Sequence, residues 1–248
     1  MLKIEKLTKK FGGLAAVNDV STVIEEGKIN AIIGPNGAGK TTFFNLISSM
    51  HKPTSGTITF NGQDVTSLRP DQVAKLGVAR TFQTTSLFDK ASVLDNLIVG
   101  HRLRTHSGLW DVLRGSSRLR EEERVCREKA RDALDFVGLS HIAHRLAGDI
   151  TQEERKRTAF ALALATDPKL LLLDEPVAGM TDEETARTAE LFLTLKGKHS
   201  LMVVEHDMSF IKTISEIVTV LCDGSVLAQG TLDQVQADER VIEVYLGR

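Results

Sequence analysis

A glycine-rich segment, residues 34–42, has the spacing of a phosphate-binding loop. Gly34 and Gly39 enclose four residues and are followed by Lys40 and Thr41, which is the P-loop pattern. Glycines let successive backbone N–H groups turn toward phosphate oxygens, and a helix that begins after the loop adds the positive end of its dipole. We expect Lys40 to reach the β- and γ-phosphates of a nucleotide and the Thr41 hydroxyl to bind Mg²⁺. The other candidates for nucleotide contacts in this P-loop are Asn36, Gly37, Ala38, Gly39 and Thr42.

Two carboxylates follow an apolar run farther along the chain. Residues 170–173 are four leucines, which predict a buried strand, and Asp174 and Glu175 come directly after them. Because ligands collect at the carboxyl ends of parallel strands, we expect this pair to lie beside the P-loop. Asp174 is the candidate metal ligand, acting through water, and Glu175 is the candidate general base for an attacking water. An acidic turn that caps the next helix would look the same in isolation, and the P-loop favours the catalytic interpretation.

Two further polar residues are candidates because of their positions. His206 follows the apolar run 201–204 and Glu205, so a second strand ends in polar residues, and we expect His206 to contact the γ-phosphate and the attacking water. Gln83 stands where the predicted nucleotide-binding core meets a helical region, and its amide could join the shell of Mg²⁺ and water. A lone histidine is more often structural and a lone glutamine is more often solvated, so neither residue identifies a site by itself.

The elements around these residues predict an α/β fold. The apolar run 29–33 predicts a buried strand that enters the P-loop, and the run 43–47 predicts the helix that leaves it. Asn61-Gly62 and Asp223-Gly224 are hairpin signals between apolar runs. Residues 118–131 are dense in Glu, Arg and Lys and predict an exposed helix.

These patterns predict one domain of two parts. Residues 1–87 and 159–248 alternate strand and helix signals and form the nucleotide-binding core, whereas residues 88–158 form an inserted helical subdomain. The predicted fold class is therefore α/β, built on a P-loop NTPase core.

The composition excludes several classes of function. The chain has 248 residues and a net charge of −2, which gives no support to a nucleic-acid partner. No apolar run reaches the ~18 residues that a membrane span needs, and the first residues lack the apolar core of a signal peptide. We therefore expect a soluble protein whose membrane role comes through partners. Cys126 and Cys222 are far apart in the sequence and form no ligand cluster, which is typical of a reducing cytoplasm.

The order of P-loop, Gln83, Asp174-Glu175 and His206 resembles that of the ATP-binding subunits of ABC transporters and covers nearly the whole chain. This resemblance implies an ABC ATPase core with an antiparallel β subdomain and an inserted helical subdomain. It implies ATP and Mg²⁺ as cofactors, and transmembrane permease subunits and a second ATPase subunit as partners. It also places Phe11 where the family stacks an aromatic ring on adenine, and Val17 where a side chain packs against the ribose.

Within the family, several segments are similar to the branched-chain amino acid and urea-type (amide) uptake subfamily. They are Phe11-Gly12-Gly13-Leu14, Arg80-Thr81-Phe82-Gln83, the run from Glu175 to Met180, and Val244-Tyr245-Leu246-Gly247. The resemblance implies import with a periplasmic substrate-binding protein and a location at the cytoplasmic face of the inner membrane. Lipopolysaccharide-export ATPases share several of these features and stay open as an alternative. A soluble ABC-type ATPase of translation or DNA repair would have a tandem cassette, a long coiled coil or a basic stripe, and the sequence has none.

One segment departs from the family. In the family, the signature Leu-Ser-Gly-Gly-Gln binds the γ-phosphate that is held by the opposite subunit. In this chain, residues 150–154 occupy that position and are Ile-Thr-Gln-Glu-Glu. Side chains replace both glycines, and a carboxylate stands where the signature has glutamine. Repulsion between one carboxylate and the phosphate, at about 5 Å and an effective dielectric near 20, costs roughly 3 kcal/mol. Thr151 and Glu154 also have the spacing of a helix capping box. We therefore expect a heterodimer with a conventional partner, and a homodimer stays open as the alternative. The alternative function is that of a regulatory half-subunit, which binds ATP and needs a partner for turnover. Thr181 stands where the family often has an acid in its dimer-contact loop.

Overall fold

A computed structural model of the chain describes residues 1–81, 87–101 and 117–246. Its strands are β1 (Leu2–Phe11), β2 (Leu14–Ile24), β3 (Ile29–Ile33), β4 (Ser55–Phe60), β5 (Gln63–Asp64), β6 (Val78–Arg80), β7 (Leu170–Asp174), β8 (Ser200–Val204), β9 (Ile217–Cys222) and β10 (Ser225–Gly230). Its α-helices are α1 (Lys40–Ile47), α2 (Pro70–Leu76), α3 (Val93–His101), α4 (Ser117–Phe136), α5 (Gln152–Ala165), α6 (Asp182–Leu195), α7 (Met208–Ile214), α8 (Leu232–Gln236) and α9 (Glu239–Leu246). Short 3₁₀ helices lie at Ser140–Ile142 and Ala147–Asp149.

The chain divides into two compact units. One contains Met1–Arg80 and Lys169–Arg248, and the other contains Thr81–Pro168. The sequence predicted these junctions at 87/88 and 158/159. The second junction lies after α5 because this helix packs against α3 and α4, which assigns it to the helical unit.

The six-stranded sheet of the first unit positions the predicted site. Its order is β10-β9-β3-β8-β7-β6, in which only the β9–β10 pair is antiparallel. Every residue of β3, β7 and β8 is buried, as expected for parallel strands covered on both faces. Val204 of β8 is in register with Ile32 of β3 and with Asp174 of β7, so these three strands end at the same edge.

A second, antiparallel sheet has the order β2-β1-β4-β5. Its β4–β5 hairpin turns at Asn61 and Gly62, which have φ values of 49° and 81°, and Phe60 pairs with Gln63. The predicted hairpin is confirmed. Asp223 and Gly224 likewise form the predicted turn between β9 and β10.

The charged run 118–131 lies within α4, so the predicted helix is confirmed. It is not exposed on all sides, because Cys126 and Ala130 are buried. Cys126, Ala130 and Leu134 lie four positions apart and are all buried, so α4 has an apolar stripe among its many charged residues. Among the described residues, no helix is both long and apolar enough to span a bilayer.

Candidate functional site

The P-loop follows β3 and wraps the start of α1. Gly39 is the N-cap of α1 with φ 94°, and no side chain caps this helix end. A Cβ at Gly39 would overlap the carbonyl oxygen of Ala16, and one at Gly34 would overlap that of Leu221. The backbone can therefore take this path only with glycine at both positions. The open N–H groups at the start of α1 form a cradle suited to an anion.

Lys40 lies inside this cradle. Its side chain is buried, and its Nζ donates to the carbonyl oxygens of Gly34 at 2.7 Å and Pro35 at 2.9 Å. Burial lowers the pKa of Lys40, and the charges of Glu175 and Asp174 oppose that change. The structure therefore brings the predicted phosphate ligand and the two predicted carboxylates into one electrostatic cluster.

Asp174 ends β7 with its side chain 2% exposed. Its Oδ2 lies 3.3 Å from Nη2 of Arg80, whereas Oδ1 is buried and has no hydrogen-bond partner among the described residues. Burial raises the pKa of Asp174, and Arg80 and Lys40 oppose the rise. A buried carboxylate oxygen without a partner is costly, and a metal-bound water or a metal ion would satisfy it.

Glu175 and His206 lie side by side at the ends of β7 and β8. Oε1 of Glu175 is 3.5 Å from Nε2 of His206, and both side chains are partly exposed. Glu175 has a φ of 48°, an uncommon conformation for a side-chain-bearing residue that is found at functional sites. Its N–H donates to the carbonyl oxygen of Val204 at 2.9 Å, which fixes the turn that presents the carboxylate.

Glu205 ties these two strand ends together, a role that the sequence analysis missed. Its buried carboxylate accepts hydrogen bonds from the N–H of Val177 at 2.9 Å and from the N–H of His206 at 2.9 Å. An acidic residue directly after a buried apolar strand was the only signal in the sequence. Because each oxygen has its own donor, the carboxylate holds the segment after Glu175 against the segment that carries His206.

Phe11 and Val17 have different surroundings. The Phe11 ring is 46% exposed at the end of β1, meets the His51 ring edge-on at 5.5 Å between centroids and has Nζ of Lys9 5.0 Å from its centroid, so its stacking on adenine stays a prediction. Val17 is 1% exposed and belongs to the hydrophobic core. The ribose contact that the resemblance implied for Val17 stays a prediction, and the burial of this side chain on the inner face of β2 does not support it. Gln83 lies outside the described residues.

Two backbone hydrogen bonds of Gly224 connect the P-loop to β2. The N–H of Gly224 donates to the carbonyl oxygen of Ala38 at 3.1 Å, and its own carbonyl accepts from Asn18 at 2.8 Å. The β9–β10 turn thus joins β2 to the P-loop. The Asp223-Gly224 signal predicted this turn but not its contact with the P-loop.

The residues present suit a magnesium nucleotide. The cradle at the start of α1 offers N–H donors, Lys40 offers a cation, and Thr41, which carries a hydroxyl, is exposed. The free oxygen of Asp174 adds the hard oxygen ligand that Mg²⁺ prefers. Thr41 and Asp174 would hold the metal, and the other P-loop residues would contact the phosphates.

Residues 150–154 form a capped helix start. Thr151 is the N-cap of α5, with the Glu154 N–H donating to its Oγ1 at 3.2 Å and its own N–H donating to Glu154 Oε2 at 2.7 Å. The predicted capping box is confirmed. Both carboxylates have cationic neighbours, since Arg157 Nη1 lies 2.8 Å from Glu153 and Arg145 Nη1 lies 3.7 Å from Glu154. The repulsion expected from unneutralised acids is therefore reduced, while the side chains at the glycine positions remain. Thr181 caps α6 in the same way.

The sequence matches two family profiles. The profile described as ABC transporter matches residues 17–178. The profile described as branched-chain amino acid ATP-binding cassette transporter matches residues 225–248.

Curated and solved relatives match over almost the full length. The chain is 37% identical over 249 residues to the high-affinity branched-chain amino acid transport ATP-binding protein LivG of Salmonella typhimurium, covering 100% of this chain and 98% of LivG. The ADP conformation of an ATP-binding cassette of an ABC transporter superposes with a TM-score of 0.86 at 31% identity, covering 100% of this chain and 99% of that one. A dimeric bacterial ABC transporter cassette superposes with a TM-score of 0.79 at 26% identity, covering 94% and 99%.

Proposed function

This chain belongs to the ABC transporter family of ATP-binding subunits, and from that membership we propose that it powers the uptake of branched-chain amino acids. The predicted family and the predicted ABC ATPase fold are both confirmed. The chain is an ATPase that couples ATP hydrolysis to transport and works as a dimer with transmembrane permease subunits. It binds ATP or ADP.

One observation supports the catalytic assignment. Lys40, Asp174, Glu175 and His206 come from three separate parts of the chain and converge where β3, β7 and β8 end. Such convergence at the carboxyl ends of parallel strands is where α/β proteins bind ligands.

The proposed reaction assigns each of these residues a task. Lys40 and the N–H groups at the start of α1 hold the β- and γ-phosphates, and the Thr41 hydroxyl and Asp174 hold Mg²⁺. When bound, Mg²⁺ would offset the negative charge that develops on the phosphate oxygens. Phe11 stacks on the adenine.

Glu175 acts as general base. Its carboxylate accepts a proton from the water that attacks the γ-phosphorus, while the bond to the β,γ-bridging oxygen breaks and ADP leaves. His206, 3.5 Å from Glu175, orients that water and contacts the γ-phosphate. Gln83 is proposed to complete the shell of Mg²⁺ and water.

The substrate proposal rests on the names of the relatives. LivG carries a branched-chain amino acid transport name, and the C-terminal residues match a profile described by the same substrate. We infer import with a periplasmic substrate-binding protein, and attachment of this chain to the cytoplasmic face of the inner membrane through the permease subunits.

The ATPase rate of the assembled transporter tests this substrate class. Leucine, isoleucine or valine bound to the binding protein should stimulate hydrolysis, because a loaded binding protein that binds the hydrolysing state more tightly would shift the population toward that state. Urea with its own binding protein serves as the comparison. Stimulation by urea and not by the three amino acids would replace the proposed substrate with a small amide.

The altered residues 150–154 support a heterodimer. A homodimer would have two sites, each with an intact P-loop facing a segment without glycines, whereas a conventional partner would supply one competent signature to this chain's P-loop. The start of α5 is stabilised by its capping box and by ion pairs with two arginines. We expect it to bind phosphate poorly, because side chains stand at the two glycine positions.

Restoring both glycines, as Gln152→Gly with Glu153→Gly, should raise ATP turnover of the purified homodimer by roughly tenfold or more. The reason is that a single hydrogen bond to a charged group is worth about 1.5–3 kcal/mol, and the repaired segment serves both sites. Turnover is measured as phosphate release. Fast hydrolysis by the unmodified homodimer, unchanged by the repair, would contradict the heterodimer.

The capping box supplies the control for this experiment. Thr151→Ala should cost roughly 1 kcal/mol of stability. Thr231→Ala removes an equivalent capping box from α8 and should cost about the same. A loss of activity in Thr151→Ala that exceeds the loss in Thr231→Ala would show that residues 150–154 still contact nucleotide.

A further inference from the structure

Arg80 is a buried arginine at the end of β6 that the proposed reaction does not use. Its side chain is 6% exposed, and its Nη2 lies 3.3 Å from Oδ2 of Asp174. Its Nη1 donates to Oδ1 of Asn45 at 2.6 Å and to Oγ of Ser48 at 3.1 Å. The planar guanidinium carries several N–H groups in fixed directions, so it can make these contacts together.

These contacts connect the P-loop helix to β7. Asn45 lies in α1, and Ser48 is the C-cap of the same helix, which begins with Lys40 and Thr41. The guanidinium also stands 5.7 Å from the centre of the Phe44 ring on α1, within the range of a cation–π contact. Because α1 is a rigid element, Arg80 holds the Asp174 carboxylate at a set distance from the residues that begin the helix.

The two oxygens of Asp174 have different surroundings. Oδ2 meets Arg80, whereas Oδ1 is buried without a hydrogen-bond partner among the residues that the structure describes. Burial by itself would favour the neutral acid, and the positive charge of Arg80 favours the carboxylate that a metal needs. The ion pair thus leaves one charged oxygen uncommitted.

We propose that Arg80 is a positioning residue for Mg²⁺, which holds Oδ2 of Asp174 so that Oδ1 is directed to the metal and its water. This inference rests on the metal-binding role proposed above for Asp174. Partners that orient a metal-binding carboxylate typically change metal affinity by about 10- to 100-fold when they are removed. Arg80 acts through Asp174 and is not itself a catalytic residue.

The test is the metal enhancement of ATP binding by the full-length chain. The Kd for ATP is measured by calorimetry in EDTA and in saturating Mg²⁺, and the ratio of the two values is the enhancement. Arg80→Gln should reduce this ratio by about 10- to 100-fold. Arg80→Lys keeps the positive charge and loses the planar guanidinium with its fixed N–H directions, so its ratio should fall by less than that of Arg80→Gln. Arg187→Gln, which removes an exposed arginine of α6, is the matched control and should leave the ratio unchanged.

A merely structural role predicts a different pattern. Loss of one member of a buried ion pair is destabilising, so both Kd values would then rise together and the ratio would not move. An unchanged or larger ratio in folded Arg80→Gln would overturn the proposal. If that variant does not fold, Asn45→Ala decides, because it removes one tether of Arg80 and keeps both charges. Its ratio should fall at least about threefold, the worth of one hydrogen bond, and an unchanged ratio there would equally overturn the proposal.

Asp174→Asn separates this inference from its premise. If Asp174→Asn keeps the full enhancement, the metal role of Asp174 fails and the role of Arg80 fails with it. If Asp174→Asn loses the enhancement while Arg80→Gln retains it, only the inference about Arg80 fails. Adding Arg80→Gln to Asp174→Asn should reduce the ratio no further, because Arg80 acts through that carboxylate.

Discussion

Lys40→Ala is expected to weaken MgATP binding by roughly 10- to 100-fold. A hydrogen bond between a cation and a phosphate is worth about 1.5–3 kcal/mol, and each 1.4 kcal/mol is a factor of ten in the dissociation constant. ATP hydrolysis should fall further, by about 10²–10³-fold, since Lys40 also stabilises the charge that develops on the γ-phosphate. Calorimetry with MgATP and phosphate release measure the two effects.

Lys198→Ala is the matched control for Lys40→Ala. Lys198 is an exposed lysine after α6, in the same compact unit and outside the predicted site. The Lys198→Ala variant should bind and hydrolyse ATP as the unmodified chain does. Wild-type affinity and turnover in Lys40→Ala would contradict the assignment of the P-loop as the nucleotide site.

Glu175→Gln should lower hydrolysis by about 10²–10⁴-fold, the usual effect of losing a general base. The amide keeps the shape of the carboxylate and cannot accept the proton of the attacking water. ATP binding should be retained, and the ATP-bound dimer should accumulate because it no longer turns over. Single-turnover hydrolysis and size-exclusion chromatography with MgATP measure both results.

Glu190→Gln gives the same chemical change on an exposed face of α6 and should leave hydrolysis unchanged. Turnover at the wild-type rate in Glu175→Gln, assembled with its partner subunits, would exclude Glu175 as the base. Loss of ATP binding in that variant would instead indicate that Glu175 supports the fold of the site.

Local patterns predicted much of this fold and site. The P-loop, the hairpins at Asn61-Gly62 and Asp223-Gly224 and the capping box at Thr151 each depend on residues close together in the chain. For such features, local residue preferences are enough to predict the backbone conformation. The ion pair of Glu153 with Arg157 also had a sequence signal, the spacing of four residues on a helix.

Contacts between distant segments were not predictable in this way. Arg80 meets Asp174, 94 residues away, and no local pattern at either position indicates the other. Glu205 accepts a hydrogen bond from the N–H of Val177, in the segment that follows β7. This contact could be predicted only if the order of the strands in the sheet were known.

The burial of Val17 was not predictable from the sequence for a related reason. The pairing of β1 with β2 shifts register at three places, two of them next to Lys9, which faces Val17. Each irregularity changes which side chains point inward, so alternation along the sequence did not show that Val17 lies in the core.

Leucine uptake and phosphate release, measured in the same proteoliposomes, test most directly whether ATP hydrolysis by this chain drives transport. The proteoliposomes would contain this chain, its partner ATPase and the permease subunits, with loaded binding protein outside and ATP inside. We expect uptake to require hydrolysable ATP and both rates to fall together when this chain carries Glu175→Gln. Leucine uptake that continues at the wild-type rate with Glu175→Gln, or with a non-hydrolysable ATP analogue, would contradict this expectation.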